Sequence, residues 1–383
     1  MPLRCCRRLR SAFLSGKPAK GICAGIRGAT LQYLFNCGDA SAVHSEPVSL
    51  SEKVAFLRRP TAYGWFVDNV ICRETHMSWV FLAGDRVLKL KKPVRFPYLD
   101  FSTLAKRHVA CAAELSLNRR LALDVYEDIV PLMNKAGKLS IGGDGEVVDW
   151  LVIMRRLEDS GTLEQALLGR QLGVRSLDPL IDCLSQFYRR AKRINVPASF
   201  HVSQWWRRLS ENRKVLLEFG SVLPVTSMGF VDRVQIKFLV ERANVLAMRA
   251  LHGRIVDGHG DLRPEHIWLG PPVRIIDCLE FNRQLRTVDP LDEIAYLCLE
   301  CDRLGGGHHA DYLQRHSMAV LQDSAFEELF TFYRCYRATL RARLAVAHLL
   351  ERSPRTPAKW PRLGRDYLEL AVVDAHRLQR LLG

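Results

Sequence analysis

Three short segments between residues 259 and 295 carry most of the structural information in this chain: HGDLRPEH (259–266), IWLGPPVRIID (267–277) and DPLDEIA (289–295). The middle segment has two apolar, strand-like runs around a Gly-Pro-Pro turn signal. Pairing the residues that flank this turn places His266 opposite Ile276 and therefore beside Asp277. The sequence thus predicts a hairpin that brings residues 266 and 277 together, with Asp261 just before it.

The aspartates of these segments are suited to the transfer of a phosphoryl group. This reaction needs one carboxylate that accepts the hydroxyl proton, others that hold magnesium on the phosphates, and a rigid frame. Asp261 precedes the hairpin and Asp277 ends it, so the two can divide these tasks. Asp289 and Asp292 follow with the spacing of a helix start, and we expect them to brace the loop rather than to touch a substrate.

The same residues resemble the aminoglycoside phosphotransferase family, which has the protein-kinase-like fold, and within it an uncharacterised bacterial group. The kinase pattern H-R-D-L-x-x-x-N matches with Gly260 in the Arg position and His266 in the Asn position. The resemblance implies that Asp261 is the catalytic base or hydroxyl-orienting group. It also implies that Asp277 ligates magnesium and that Arg263 neutralises charge on the transferring group.

His266 is a departure from the family's pattern, because the Asn at this position is a magnesium ligand. Neutral imidazole suits transition metals better than it suits magnesium, which prefers oxygen. His266 is therefore either a metal ligand that favours manganese or a hydrogen-bonding brace of the loop.

The resemblance also indicates where a nucleotide would bind in the first half of the chain. Lys89 ends a Val-Leu-Lys run like that of the kinase lysine, and Lys91 is its competitor on the same side of the strand. Glu114, in a helix predicted over residues 101–121 with Ser102 as a possible cap, matches the glutamate that pairs with this lysine.

Two further parts of the nucleotide site are expected from the resemblance. The phosphate loop at residues 74–79 lacks glycine, so the hydroxyls of Thr75 and Ser78 and backbone N–H groups would hold phosphate there. Met154 and Arg155 lie where the chain crosses between lobes and would offer backbone groups to the adenine.

We expect an α+β, two-lobed protein-kinase-like fold. Residues 46–157 would form a small lobe with an antiparallel sheet and one long helix, and residues 158–383 a larger, mostly helical lobe. The strand-turn-strand pattern at 78–90 favours the first lobe, and amphipathic stretches favour the second: 177–194, 202–219, 231–251, 290–304 and 327–350. Residues 1–45 hold seven Lys or Arg and one acidic residue and are expected to be a basic, disordered extension.

One row of arginines in the last amphipathic stretch is open to two interpretations. Arg334, Arg337 and Arg341 are spaced by three and four residues and share one helix face. They form either a solvated face or an anion-binding wall for a substrate.

The composition limits the class of protein. No apolar run approaches the roughly 18 residues of a membrane span, and the eleven scattered cysteines indicate free thiols in a reducing cytoplasm. The net charge of +15 is compatible with an anionic partner, but no basic run is interleaved with aromatic residues, so specific nucleic-acid binding is not expected.

The expected function is ATP- and Mg²⁺-dependent phosphorylation of a hydroxyl on a small-molecule substrate, with GTP as the alternative nucleotide and Mn²⁺ as the alternative metal. The chief rival is a nucleotide-binding pseudokinase or scaffold, which His266 and the glycine-poor loop favour. The presence of Lys89, Glu114, Asp261 and Asp277 together opposes that rival. A basic nucleic-acid-associated protein is a weaker alternative that rests on charge alone.

Overall fold

The computed structural model describes residues 48–323, 327–350 and 356–383. Its first part is a six-stranded sheet in the order β1-β2-β3-β8-β6-β7, with every neighbouring pair antiparallel. A short separate hairpin of β4 and β5 follows β3. The strands are β1 (Val70–Glu74), β2 (Ser78–Ala83), β3 (Arg86–Lys91), β4 (Arg95–Phe96), β5 (Leu99–Asp100), β6 (Tyr126–Lys135), β7 (Lys138–Ile141) and β8 (Glu146–Arg155).

Two helices accompany this sheet. Helix α1 (Leu50–Leu57) begins with a capping box at Ser49, one of the two serines, with Ser51, that the sequence offers as a cap. Helix α2 (Leu104–Asn118) begins at Thr103, whose hydroxyl accepts from the Lys106 N–H, so the expected cap at Ser102 is wrong by one residue.

A buried carboxylate joins both helices to the sheet. Asp149 interrupts the apolar run of β8 and is fully buried. Its carboxylate accepts from Lys53 Nζ on α1 and from Arg107 Nε on α2, each at 2.8 Å. The charge that breaks the apolar pattern therefore fixes the helices against the strand.

After β8 the described chain is mostly helical, which confirms the expected α+β fold with a sheet lobe and a helical lobe. The remaining elements are α3 (Leu163–Leu168), α4 (Asp178–Arg190), α5 (Ala198–Leu217), α6 (Val225–Leu251), β9 (Val256–Asp257), β10 (Ile267–Trp268), β11 (Arg274–Ile275), α7 (Arg283–Arg286), β12 (Thr287–Val288), α8 (Pro290–Arg303), α9 (Gly307–Val320), α10 (Glu327–Ala347) and α11 (Lys359–Leu382). The division after residue 157 stays a prediction, and residues 1–45 lie outside the described part.

The core of the helical lobe forms where α5 and α10 meet. The Trp205 ring of α5 lies 5.0–5.3 Å from three aromatic rings of α10, those of Phe332, Tyr333 and Tyr336. Aromatic pairs at such distances add to the stability gained from burial alone.

Among the described residues every helix is too short or too polar to cross a membrane.

The hairpin predicted from the sequence is present in the expected register. Ile267 of β10 pairs with Ile275 of β11, and Trp268 pairs with Arg274. The Ile276 N–H donates to the His266 carbonyl at 3.0 Å. His266 therefore lies opposite Ile276 and beside Asp277, and this prediction is confirmed.

The arginine row of α10 differs from both interpretations. Arg334 donates to Asp374, Arg337 to Asp292 and Arg341 lies 3.1 Å from Glu300 Oε1. Arg334 and Arg337 are buried. The solvated face is wrong, and the three guanidinium groups are already paired with carboxylates rather than open to an anion.

Candidate active site

The lysine and glutamate expected to pair do so. Lys89 Nζ on β3 donates to Glu114 Oε1 on α2 at 2.8 Å and to Asp277 Oδ1 at 3.0 Å. Burial acts to lower the pKa of Lys89, but the charges of Asp277 and Glu114 outweigh it and hold this pKa well above its ordinary value. Three residues far apart in sequence therefore meet in one charged cluster.

Glu114 is shared between two lysines. Lys91, the competitor named from the sequence, donates to Glu114 Oε2 at 2.6 Å and also pairs with Glu280. Lys91 is buried, whereas the Lys89 side chain keeps 16% of its surface exposed. Lys89 is thus the lysine of the pair that a ligand can reach.

Asp277 presents an ionised carboxylate at the end of the hairpin. Its φ of +63° lies in the left-handed region, and its N–H donates to Tyr126 Oη at 3.3 Å. The charge of Lys89 holds the pKa of Asp277 well below its ordinary value. Since the Asp277 side chain is 48% exposed, it can bind an ion or ligand from the cleft.

A buried glutamate holds the loop that carries Asp261. Glu293 of α8 accepts from the backbone N–H of His259 at 3.0 Å, from that of Gly260, and from Tyr188 Oη at 3.0 Å. Gly260 has a φ of +92°, and a Cβ there would lie 3.0 Å from Leu279. Both the backbone conformation and the close packing require glycine at this position.

His259 supports the same loop from inside. Its Nε2–H donates to the Ile276 carbonyl at 2.9 Å, and its Nδ1 accepts from the Asp261 N–H at 3.3 Å. Burial lowers the pKa of His259 to about 4, so the ring is neutral at neutral pH. The histidine of the His-Gly-Asp run is therefore a neutral structural link between loop and hairpin.

Asp261 lies between an arginine and a tyrosine. Its Oδ2 is 3.0 Å from Arg263 Nη2, and its Oδ1 accepts from Tyr296 Oη at 3.4 Å. Burial acts to raise the pKa of Asp261, but Arg263, His266 and Arg341 outweigh it and lower this pKa. The carboxylate is ionised at neutral pH and remains partly exposed.

The hydrogen bonds of His266 determine which of its nitrogens carries the proton. His266 Nδ1 lies 2.9 Å from the Asp261 carbonyl oxygen, and Nε2 lies 3.2 Å from Arg263 Nη2. A carbonyl only accepts and a guanidinium only donates, so Nδ1 carries the proton and Nε2 accepts. Nε2 is also 3.7 Å from Asp277 Oδ2. This geometry agrees with the brace; ligation of a metal would require Nε2 to release Arg263.

Two adjoining cavities open on these residues. The first, of about 310 Å³, is lined by six of the residues predicted to bind nucleotide or metal: Thr75, Ser78, Lys89, Met154, Arg155 and Asp277. The second, of about 720 Å³, is lined by Asp261. Met77, Leu279 and Phe281 line both cavities, so they share a wall.

The structure differs from the sequence expectations at the phosphate loop and at the crossing between lobes. The Thr75 hydroxyl closes the β1–β2 turn, accepting from the Ser78 N–H at 2.9 Å and donating to the Ser78 carbonyl at 3.0 Å. The Arg155 N–H donates to the Val125 carbonyl at 2.7 Å. Leu157 also lines the first cavity. Among the described residues no backbone hydrogen bond uses the Leu157 N–H or carbonyl group, so both groups are open to a ligand.

Asp289 and Asp292 lie behind the cavities and line neither of them. Asp289 caps α8 by accepting from the Leu291 N–H at 3.1 Å and receives two hydrogen bonds from Arg249, at 2.6 and 2.7 Å. Asp292 receives two from Arg337, both at 2.7 Å. This placement agrees with the expected bracing role.

Among the described residues no group of three or more His, Cys, Asp or Glu side chains is arranged to hold a metal ion.

Uncharacterised proteins of Mycobacterium tuberculosis (strain H37Rv) and Mycobacterium bovis are 34% identical to the chain over 317 residues, which is 80% of this chain and 61% of each relative. The chain therefore spans about three fifths of the length of the curated relatives it matches. No protein-family model matches the chain.

The solved structures similar to the chain include choline/ethanolamine kinases and aminoglycoside phosphotransferases. A choline/ethanolamine kinase family protein from Mesorhizobium loti is 12% identical with a TM-score of 0.47, over 87% of this chain and 97% of that one. The apo form of a thermostable mutant of aminoglycoside phosphotransferase APH(4)-Ia is 12% identical with a TM-score of 0.47, over 83% and 98% of the two chains.

Sequence reasoning missed Glu293, Glu280 and Tyr296. Glu293 directly follows Asp292 in the third segment, and its inward orientation depends on the phase of α8 relative to the loop. Glu280 follows Asp277 by three residues, but its partner Lys91 lies 189 positions away. A helical projection of α8 places Asp292, Glu293 and Tyr296 on the same side of the helix. This projection is the signal by which Glu293 and Tyr296 could have been found from the sequence.

Proposed function

We propose that the chain is an ATP- and Mg²⁺-dependent phosphotransferase that phosphorylates a hydroxyl of a small molecule. One observation carries this proposal: Lys89, paired with Glu114, and Asp277 line one cavity, while Asp261 lines the adjoining one. In phosphoryl transfer the attacking and leaving oxygens lie roughly in line on either side of the transferred group. Two cavities that share a wall, with one carboxylate on each side, suit that requirement.

On the nucleotide side, Lys89 binds the phosphates while Glu114 holds it in place. Lys89 then exchanges its contact with the Asp277 carboxylate for a contact with a phosphate oxygen. The Asp277 carboxylate is thereby available to a metal ion. The adenine, or the guanine of GTP, lies against the end of β8. Because the Arg155 N–H is used within the sheet, we assign the backbone contact to Leu157 in addition to the side-chain walls of Met154 and Arg155.

Asp277 fits a magnesium ion that is bound mainly by the nucleotide. Mg²⁺ in such sites takes one or two carboxylates plus phosphate oxygens and keeps several waters. A half-exposed, ionised carboxylate beside the phosphate-binding lysine meets that description. When bound, the metal would neutralise charge on the β- and γ-phosphates.

On the acceptor side, Asp261 receives a hydrogen bond from the substrate hydroxyl and takes its proton as the new O–P bond forms. The bond between the γ-phosphorus and the bridging oxygen breaks in the same step, and ADP leaves with that oxygen. Its lowered pKa means that it is ionised throughout the neutral range and orients the hydroxyl well. Tyr296 and Arg263 fix its rotamer, and the Arg263 guanidinium stabilises charge that develops on the transferring group.

Asp261→Asn tests this assignment. The amide keeps the size of the side chain but cannot accept the proton, so we expect kcat to fall by about 10²- to 10⁴-fold, the usual worth of general-base catalysis. ATP binding should change little, because Asp261 does not line the first cavity. ADP release measures kcat, and the ATP-induced rise in Tm measures binding.

Asp311→Asn, an exposed substitution of the same kind on α9, is the matched control. Turnover near that of the control in Asp261→Asn would remove Asp261 from the mechanism.

A nucleotide-binding protein without phosphotransfer is the second candidate. It is favoured by the Thr75 hydroxyl, which is used in the β1–β2 turn and would have to reorganise to hold phosphate. It predicts an ATP-dependent rise in Tm with no ADP release above that of Asp261→Asn. The same two measurements therefore separate the candidates.

A further inference from the structure

The second cavity has the dimensions and position of a binding site for the acceptor. Its volume of about 720 Å³ lies in the range of pockets that enclose small organic ligands, and Asp261 is in its wall. Arg208, Glu211 and Lys214, spaced by three residues, line it from one face of α5, and α10 forms the facing wall. Charged residues therefore determine which acceptors can enter.

The charges that line the cavity do not cancel. Five cationic side chains (Arg208, Lys214, Arg337, Arg341, Arg343) and three carboxylates (Glu211, Glu218, Asp261) belong to its wall. Two of the cations are neutralised by carboxylates behind the wall, Asp292 and Glu300. Two of the carboxylates are likewise neutralised, Asp261 by Arg263 and Glu211 by Arg207 at 3.6 Å. Three cations then face a single remaining carboxylate.

Arg343 is the cation whose surroundings most need an anion. Its Nε is buried and has no hydrogen-bond partner among the described residues. The carboxylate nearest to it in an ion pair, Glu211 Oε2, is 3.9 Å from Nη1 and is shared with Arg207. Burial lowers the pKa of Arg343. A buried guanidinium with an unmade hydrogen bond costs free energy, which an anionic ligand would recover.

Arg208 and Lys214 lie on the same wall, and neither is paired with a carboxylate of the described chain. Within residues 48–323, 327–350 and 356–383 neither is in an ion pair, and the Arg208 guanidinium lies 4.7 Å from the centre of the Trp205 ring. Lys214 is exposed. These two cations are therefore available to the same anionic group or to a second one.

The aromatic rings in the wall do not reverse this preference. A cluster of aromatic rings can bind an ammonium ion through the negative ring faces. Tyr296 is the ring beside Asp261, but the Arg337 guanidinium already lies 5.0 Å from its centre. A cationic acceptor at this ring would be repelled by Arg337 and by Arg341, which also lines the cavity.

We propose that the acceptor of this phosphotransferase carries an anionic group, a carboxylate or a phosphate, that binds Arg343 with Arg208 and Lys214 nearby while its hydroxyl reaches Asp261. This proposal rests on the proposed function and adds the charge class of the substrate. It separates this chain from enzymes that act on amines, because the cation-lined cavity opposes a positively charged acceptor.

The test uses two sets of hydroxyl compounds in which one substituent is neutral, cationic or anionic. Tm of the full chain is measured with millimolar glucose, glucosamine, glucuronate or glucose 6-phosphate, and with the corresponding glycerol, aminopropanediol, glycerate and glycerol 3-phosphate. We expect anionic members to raise Tm, since a ligand that binds only the folded state stabilises it. The carboxylates and phosphates of each set show which anion the site prefers.

Two variants assign the effect to the cavity. Arg343→Gln should weaken binding of the anionic probes by about 10- to 100-fold, the worth of a hydrogen bond to a charged group. Lys214→Glu, a substitution at an exposed position, should weaken it in the same direction. Arg380→Gln, exposed on α11 and outside the cavity, is the control and should bind as the wild type does.

The proposal is wrong if amines raise Tm more than acids do, if no anionic probe raises it, or if the anion effect is equal in Arg343→Gln and Arg380→Gln. None of these results bears on nucleotide binding, because the probes are tested without ATP. The ATP-dependent rise in Tm and the Asp261-dependent ADP release, measured on the same preparations, test the proposed function separately.

Discussion

At the scale of single residues, Asp277 is the group on which the proposed use of a metal depends. It is ionised, half-exposed and 3.0 Å from Lys89 Nζ. We expect Asp277→Ala to abolish the part of the ATP-induced rise in Tm that requires Mg²⁺, because Asp277 is the carboxylate that we propose to hold the metal beside Lys89. The Mg²⁺-independent part should remain, since Lys89 keeps its contact with Glu114.

Asp159→Ala provides the comparison, because Asp159 also lines the first cavity but pairs with the exposed Arg73. The control should keep the full Mg²⁺ effect. If Asp277→Ala responds to Mg²⁺ as Asp159→Ala does, Asp277 has a structural role only.

His266 is the residue where the alternatives from the sequence differ most. With Nδ1–H bonded to the Asp261 carbonyl and Nε2 accepting from Arg263, it links both ends of the loop. We therefore expect His266→Ala to lower the free energy of unfolding by about 1–3 kcal/mol, the cost of buried groups left without partners. The ratio of Mg²⁺- to Mn²⁺-dependent ATP binding should stay the same.

Metal titrations of the wild type, His266→Ala and His266→Asn separate the two roles. A ligand role predicts that both variants lose a preference for Mn²⁺, since imidazole nitrogen suits Mn²⁺ better than Mg²⁺. A changed metal ratio with unchanged stability would therefore exclude the brace.

At the scale of structural elements, the position of the loop that carries Asp261 depends on helix α8. Glu293 accepts from two loop N–H groups and from Tyr188, and all these donors are buried. Glu293→Ala leaves them without an acceptor, and each unsatisfied group costs about 1–3 kcal/mol. We expect a large loss of stability together with a lower kcat, because the loop that carries Asp261 is no longer fixed.

Urea unfolding and ADP release measure these two effects, and Glu369→Ala, exposed on α11, is the control. Glu293→Gln retains an acceptor oxygen and should restore part of both losses. A Glu293→Ala protein as stable as the control would show that α8 does not hold the loop.

A hairpin or a helix start could be predicted from the sequence where the residues within it are sufficient to determine its conformation. The β10–β11 hairpin follows from two short apolar runs and a Gly-Pro-Pro turn, and the period of two in strands then fixes the pair His266 and Ile276. The capping box at Ser49 is likewise visible in four residues. By contrast, α2 is capped by Thr103 rather than by Ser102. The sequence does not distinguish the two neighbouring hydroxyls, because either can cap a helix until the residue at which the helix begins is known.

Partners across elements were not predictable in the same way. The spacing of Arg334, Arg337 and Arg341 shows that they share a helix face, but burial against Asp374, Asp292 and Glu300 comes from how α10 packs on α8 and α11. The Thr75 hydroxyl is used in hydrogen bonds within its own turn, and this too depends on the conformation of the folded loop. Residue type and spacing state what a side chain can do, and packing determines which partner it meets.

At the scale of the whole molecule, the two lobes contribute different parts of one site. The sheet lobe supplies Lys89 and, through α2, Glu114, whereas the helical lobe supplies Asp261 and Asp277. The Lys89–Asp277 contact connects residues 188 positions apart. The nucleotide that we propose would add contacts to both lobes at once, so its binding should stabilise the fold as a unit.

Two buried histidines couple the stability of the molecule to pH. Burial lowers the pKa of both His201 and His259 to about 4, compared with the ordinary value of about 6.5. His201 accepts from the Trp205 indole N–H at 3.3 Å, as a neutral ring does. Between pH 6.5 and pH 4 the unfolded chain binds protons at these rings and the native chain does not. Each histidine therefore makes the free energy of unfolding fall as the pH falls through that window, by up to about 1.4 kcal/mol per pH unit.

Carboxylates also contribute near the acid end of this window, some with the same sign and some with the opposite sign, so a variant is needed to isolate the histidine effect. Burial raises the pKa of Glu293 and Asp374, which contributes the opposite sign. We expect His201→Gln to have a smaller pH dependence than the wild type, with the two stabilities converging as the pH falls from 6.5 to 4.5. His308→Gln, exposed on α9, should keep the wild-type dependence. Urea unfolding at intervals of about half a pH unit measures these slopes, and parallel curves for the wild type and His201→Gln would show that His201 titrates alike in the folded and unfolded chain.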